Sequence, residues 1–269
     1  MEPGVPTDPI LAARADRIAE AKGIIDAARS RGLVLRLIGG LAVRFHCDSL
    51  DFCERKNGDI DLVGHRDDAN RLASLFADLG FEEIVHVRQA TGGRQLQFAL
   101  EGRQRVEQAR RETPAYDHVD VFLDTFKMDH AIDLTERLHF GDYTVTVSDI
   151  LLTKLQMAHL NEKDERDIFT LLQDLELGTA EDPGTIDVAY IARLCASDWG
   201  LFHDVELNLG LLRERLDAYP LPPGGGARAR ANLTRLQEAI EAHPKSWIWR
   251  LRAKIGERHS WRNQVEEQG

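Results

Sequence analysis

The strand signals of this chain stop at its middle. Short apolar or alternating runs occur at residues 33–38, 59–63, 81–88, 95–100, 118–123 and 143–147, and none follows Ser148. Gly92-Gly93 reads as the turn of a hairpin between the third and fourth runs. Helical periodicity fills the spaces between: 8–31, with Asp8 as a cap and Pro9 in the first turn, about 41–47 directly after Gly39-Gly40, and 67–79 closed by Gly80. Ser148 reads as the cap of a helix that begins at Asp149. Beyond it only helices are expected, over 149–159, 164–175, 185–196, 202–218 and 227–242, with Pro220–Gly226 as the clearest loop. Mixed elements first and helices alone second predict an α+β fold: a mixed sheet with flanking helices over residues 1–147, then a helical domain over 148–269.

Charge and composition narrow the function classes. The chain has 45 Asp and Glu against 34 Lys and Arg, a net charge of −11. An overall field of that sign does not help a protein to grip a polyanion. No run approaches the roughly 18 apolar residues that cross a bilayer, so no membrane partner is expected. The first ten residues carry acids and prolines in place of the basic-then-apolar order of a signal peptide. Three cysteines do not make a disulfide scaffold, and the cytoplasm is the expected compartment. Neither the cysteines nor the histidines at 46, 65, 86, 118, 130, 139 and 159 have zinc-type spacing.

The chemistry concentrates in three places. In Asp59-Ile60-Asp61, residues two apart on a strand point to one face, so both carboxylates project together while Ile60 and Leu62 face a core. Two adjacent carboxylates repel, and a divalent cation removes the cost. Mg²⁺ is bound in this way, through one or two carboxylates, waters and substrate phosphates. Gly39-Gly40 ends a strand and opens a helix, where glycine lets the backbone approach a phosphate and the helix N-terminus offers free N–H groups. Arg44, on the first turn of that helix, is placed to reach a phosphate. Asp120, between Val119 and Val121 on a later strand, is the expected third carboxylate; Asp124 falls beyond the site.

Together Ile38-Gly39-Gly40, Asp59-Ile60-Asp61 and Asp120 resemble the nucleotidyltransferase superfamily of the polymerase-beta type. The stretch Ser148 to Ala158, with Lys154, and the stretch Asn161 to Ile168, with Asp164 and Asp167, resemble its AbiEii-toxin-like and uncharacterised bacterial branches. The resemblance spans about residues 33–175. Gly40 stands where many members carry serine, and eighteen residues separate it from Asp59, with 48–58 as an extra loop. The resemblance implies two Mg²⁺ ions and transfer of an NMP group from an NTP to an acceptor hydroxyl or phosphate. Asp59, Asp61 and Asp120 would hold metal, Gly39 and Gly40 the triphosphate, and Lys154 a phosphate. Asp164 would orient the acceptor or serve as its base, while Lys163 and Asp167 can equally form a structural pair one helical turn apart. The acceptor can be a small hydroxylated molecule such as a drug, a tRNA or a protein. The alternative is a catalytically weak module of the same fold that binds a protein partner in a toxin–antitoxin or defence pair.

The last stretch differs from the rest. Between Ala227 and Arg262 stand nine Lys and Arg, three acids, and Trp247, Trp249 and Trp261. Basic residues interleaved with aromatics can bind single-stranded nucleic acid. They can also pack a tail onto an acidic core through arginine and tryptophan, and packing is the favoured reading. His130 can line the acceptor pocket or be a packed or solvated histidine, and the second reading is favoured.

Overall fold

The computed structural model of the chain describes residues 9–48, 52, 59–100 and 118–262. The expected Asp8 cap and most of the 48–58 loop lie outside them. The fold is mixed, with a mixed five-stranded sheet and many helices, as an α+β class requires. Two compact units divide it. The first comprises Met1–Phe45, Glu54–Phe126 and Asp133–Val145; the second comprises His46–Cys53, Lys127–Ile132 and Thr146–Gly269.

The sheet belongs to the first unit. Its strands are β1 (Leu35–Ile38), β2 (Ile60–Gly64), β3 (Phe81–Glu83), β4 (Gln95–Leu100) and β5 (His118–Leu123), in the order β1-β2-β5-β4-β3. Only the central β2/β5 pair is parallel; the others are antiparallel. β5 alternates half-buried and buried residues along its whole length, which leaves His118, Asp120 and Phe122 on one face and buries Val119, Val121 and Leu123 on the other. The buried face carries Ile60, Leu62, Leu96 and Phe98, all at most 1% exposed. Helix α1 (Pro9–Ser30) packs against β1, burying Ala21, Ile24, Ile25 and Ala28 at helical spacing. After the helix α2 (Gly39–His46) comes α3 (Ala69–Asp78), which closes the core: Phe76 stacks on Phe98 at 4.0 Å between centroids and meets Phe81 edge-on at 5.6 Å.

Two strand expectations in this unit change. The run 81–88 is a strand only to Glu83. Residues Val85–Ala90 form helix α4, because Phe81, Ile84 and Val87 recur at a spacing of three, and Val87 is buried while Val85 is 53% exposed. The turn at Gly92-Gly93, both with positive φ, therefore follows a helix. The run 143–147 shrinks to a parallel bridge between Leu37 and Thr144, flanked by Leu37 N–H to Tyr143 O at 2.8 Å and Val145 N–H to Leu37 O at 3.0 Å.

The second unit is built on helices α5 (Val147–Leu155), α6 (Glu162–Asp174), α7 (Val188–Ser197), α8 (Trp199–Arg215), α9 (Gly225–Ala242) and α10 (Trp247–Ile255). Thr146, and not Ser148, caps α5: its Oγ1 accepts the Asp149 N–H at 3.2 Å. Ser148 is buried in the first turn, where its Oγ accepts the Asp187 N–H at 2.8 Å. The second half also holds two strands, β6 (Glu176–Gly178) and β7 (Thr185–Asp187), paired in parallel. Each is three residues long with one central apolar residue, Leu177 or Ile186, too short to register as a pattern. Asp187, at the end of β7, caps α7 through Oδ1.

The basic tail packs within this unit. Trp249 Nε1 donates to Cys195 O at 3.0 Å, and the Arg252 guanidinium lies 4.5 Å from the centre of the Trp199 ring. Asp204 on α8, 1% exposed, accepts Arg262 Nη2 at 2.7 Å, Arg262 Nε at 2.9 Å and Trp261 Nε1 at 3.1 Å, and pairs with His130 Nε2 at 2.7 Å. Burial alone pushes the Asp204 carboxyl up, but the hydrogen bonds from Arg262, His130 and Trp261 reverse this and hold it well below the usual carboxylate range. A depressed folded pKa stabilises above the unfolded value and the gain disappears as pH falls through the folded one. Asp204→Asn should therefore lower the denaturation midpoint at pH 7, and its deficit should shrink steadily as pH drops below about 4. Paired urea titrations across that range measure it.

Candidate functional site

Two of the three expected carboxylates of the first unit, Asp61 and Asp120, are register partners, and Asp59 stands two residues before Asp61. Register places Ile38, Asp61, Asp120 and Gln97 directly opposite one another on β1, β2, β5 and β4, a row across four adjacent strands. Asp61 and Asp120 are facing partners of the parallel β2/β5 ladder, so their side chains share the face opposite the core. Asp59, exposed, immediately precedes β2, two residues before Asp61 and on the same side. Its carboxylate is near enough to disfavour the charged form of Asp120.

Gly39 closes the row at the β1 end. Its φ is +73°, which L side chains rarely adopt, and a Cβ placed on it would stand 2.4 Å from Asp61 Oδ2. The tight approach of backbone to carboxylate thus requires glycine twice over, by conformation and by space. Gly39→Ala should cost about 1–2 kcal/mol in backbone strain alone and displace the Asp61 carboxylate; a lowered melting temperature is the expected result. Gly40 follows as the second residue of α2. Arg44, on the same helix, is 2% exposed. Its side chain is packed inside.

Asp120 is held from β4. Gln95 Nε2 and Gln97 Nε2 each donate to its Oδ1 at 2.9 Å. Burial pushes the Asp120 carboxyl up; the two glutamine hydrogen bonds and the His118 charge work against burial, and Asp59 works with it. The glutamines are what sequence reasoning missed. They have the parity of Asp120's face, Gln95-Leu96-Gln97-Phe98, but two neutral amides on a strand carry no signal until the register is known. Asp124 directly follows β5 with φ +62°, and its Oδ1 accepts the Arg66 N–H at 3.1 Å, so it serves the bend beyond the acidic row.

The donor set suits a hard cation: carboxylate oxygens, with no sulfur or imidazole in the row. Among the described residues, no three His, Cys, Asp or Glu side chains form a metal cage by themselves. Mg²⁺ does not need one, since one or two carboxylates with waters and substrate phosphates complete its shell.

The remaining two expected site residues, Lys154 and Asp164, lie in the second unit. Lys154 is 7% exposed. Its Nζ meets Asp164 Oδ1 at 3.1 Å and Asp167 Oδ2 at 2.8 Å. Asp167 is fully buried and pairs with Lys154, not with Lys163. Asp164 sits in the first turn of α6, where its N–H is capped by Asn161 Oδ1 at 3.0 Å. His130 is buried against Asp204. A separate cavity of about 450 Å³ is lined by Glu162, Glu165, Arg166, Arg215, Tyr219 and neighbours; Glu165, 2% exposed, is fully engaged there by Arg215 and Tyr219.

No protein-family model and no curated protein matches the chain. Among solved structures it is similar to the antibiotic-resistance factor ANT(2'')-Ia in solution, at 13% identity over 86% of this chain and 97% of that chain, with a TM-score of 0.31. That score is too low to establish a common fold. No helix among the described residues is long and apolar enough to cross a membrane.

Proposed function

We propose that the chain is a Mg²⁺-dependent nucleotidyltransferase that moves an NMP group from an NTP to an acceptor hydroxyl or phosphate. The observation that carries this reading is the row itself: Asp61 facing Asp120 across a parallel ladder, Asp59 beside them, and Gly39 backbone pressed against Asp61. Asp59, Asp61 and Asp120 would hold up to two Mg²⁺ ions. When bound, Mg²⁺ neutralises phosphate charge and lowers the pKa of an attacking hydroxyl. The acids fix where that charge sits, and the glycines at the start of α2 give a triphosphate access to backbone N–H groups. Positioning and charge stabilisation then supply most of the rate.

In this reading Lys154 would serve as a phosphate contact and Asp164 as the acceptor-orienting group, in addition to the ion pair they form within the second unit. The site chemistry does not select among small-molecule, tRNA and protein acceptors. The experiment that tests it incubates the protein with each labelled NTP, Mg²⁺ or Mn²⁺, and a cell lysate. Label transferred to one fraction supports the assignment and identifies the acceptor class. Metal-dependent NTP binding without transfer in any fraction favours the binding-module alternative, in a toxin–antitoxin or defence setting. No metal-dependent NTP binding overturns both.

A further inference from the structure

The two glutamines that grip Asp120 do something more specific than brace a strand. Gln97 is the register partner of Asp120, Gln95 lies diagonally two residues away on the same face of β4, and both amides converge on one oxygen, Oδ1, at 2.9 Å. Among the described residues no hydrogen bond reaches Oδ2. Two donors occupy the lone pairs of a carboxylate oxygen, so Oδ1 is spent and Oδ2 is the atom left to coordinate.

We propose that Gln95 and Gln97 are positioning residues that make Asp120 a one-oxygen ligand and thereby set a preference for Mg²⁺ and Mn²⁺ over Ca²⁺. This rests on the reading of the acidic row as a cation and triphosphate site. Mg²⁺ demands near-ideal octahedral geometry at about 2.0–2.1 Å, which favours one oxygen per carboxylate; Ca²⁺ takes six to eight ligands and accepts both oxygens of one carboxylate. A carboxylate whose second oxygen is tied to protein amides cannot offer the two-oxygen bite. Outer-shell partners of this kind typically change metal affinity about 10–100-fold when removed.

The test uses the full chain and Mn²⁺ as the probe, with binding followed by electron paramagnetic resonance and with Mg²⁺ and Ca²⁺ as competitors. The variant Gln95→Leu/Gln97→Leu should bind Mn²⁺ and Mg²⁺ about 10–100-fold more weakly, while Ca²⁺ affinity falls less or rises, so that the Mg²⁺-to-Ca²⁺ preference shifts. The single variants should fall between, and they carry the same test if the double variant does not fold. A folded variant with wild-type Mn²⁺ affinity and wild-type cation preference overturns the proposal and leaves the site reading intact. An equal loss for all three cations also overturns it, because it reveals bracing without selectivity. A wild-type protein that binds no Mn²⁺ rejects the site reading itself.

Discussion

Asp61→Asn is expected to lower nucleotidyl transfer by at least about 10²–10³-fold, the range seen when one well-placed charge-stabilising group is removed from an active site. The residue lies at the centre of the row, with Asp120 in register on one side and Gly39 backbone on the other. Asparagine has the same shape, so the approach of Gly39 is preserved and the half-buried position on β2 is not emptied. What changes is one unit of negative charge where the cations and the triphosphate would meet. The wild-type protein should gain thermal stability from Mg²⁺ with an NTP, since a ligand that binds only the folded state stabilises it by mass action. The variant should keep the metal-free melting temperature and lose that gain. Turnover of labelled NTP at the wild-type rate would falsify the assignment of the row.

Lys154→Met is expected to destabilise the second unit by about 3–5 kcal/mol, as happens when one partner of a buried ion pair is removed. Methionine keeps the length and apolar stem of the side chain, so the loss isolates the charge. Asp167, with no exposed surface, would lose the ammonium that meets its Oδ2. Asp164 is less affected because its side chain is 18% exposed. Adding Asp167→Asn to the variant should recover part of the deficit, measured by urea unfolding, because it removes a buried negative charge that Lys154 no longer offsets. A purely phosphate-binding lysine behaves differently: the variant would unfold at the wild-type midpoint and show only a raised KM for NTP.

Much of the first unit was legible because its physics is local. The alternation of His118–Leu123 is a period-two pattern with polar and apolar faces, and it became β5 residue for residue. Asp59 and Asp61 needed only the side-chain parity of a strand, and Asp120 only its own strand. The failures have a common cause in interactions distant along the chain. Val85 and Val87 look like strand residues until the β3 edge is seen to end at Glu83. The Tyr143–Val147 alternation was cut short because Thr146 captured the Asp149 N–H and drew Val147 into α5. Nothing near Lys154 in sequence signals that Asp164 and Asp167, ten and thirteen residues later, would bury it, and Arg44 has a helix-surface position by number but a core position by packing. Gln95 and Gln97 acquire meaning only from a partner more than twenty residues away.

The donors gathered on Asp204 also give the protein a built-in seal. Of the side chains that neutralise this interior acid, Trp261 and Arg262 sit together on a stretch of chain beyond α10, while His130 arrives from elsewhere in the sequence. A protease that nicks the chain anywhere between Ile255 and Ser260 would detach both at a stroke, leaving the imidazole as the sole remaining donor. The nicked chain would then unravel at milder conditions than its intact sibling.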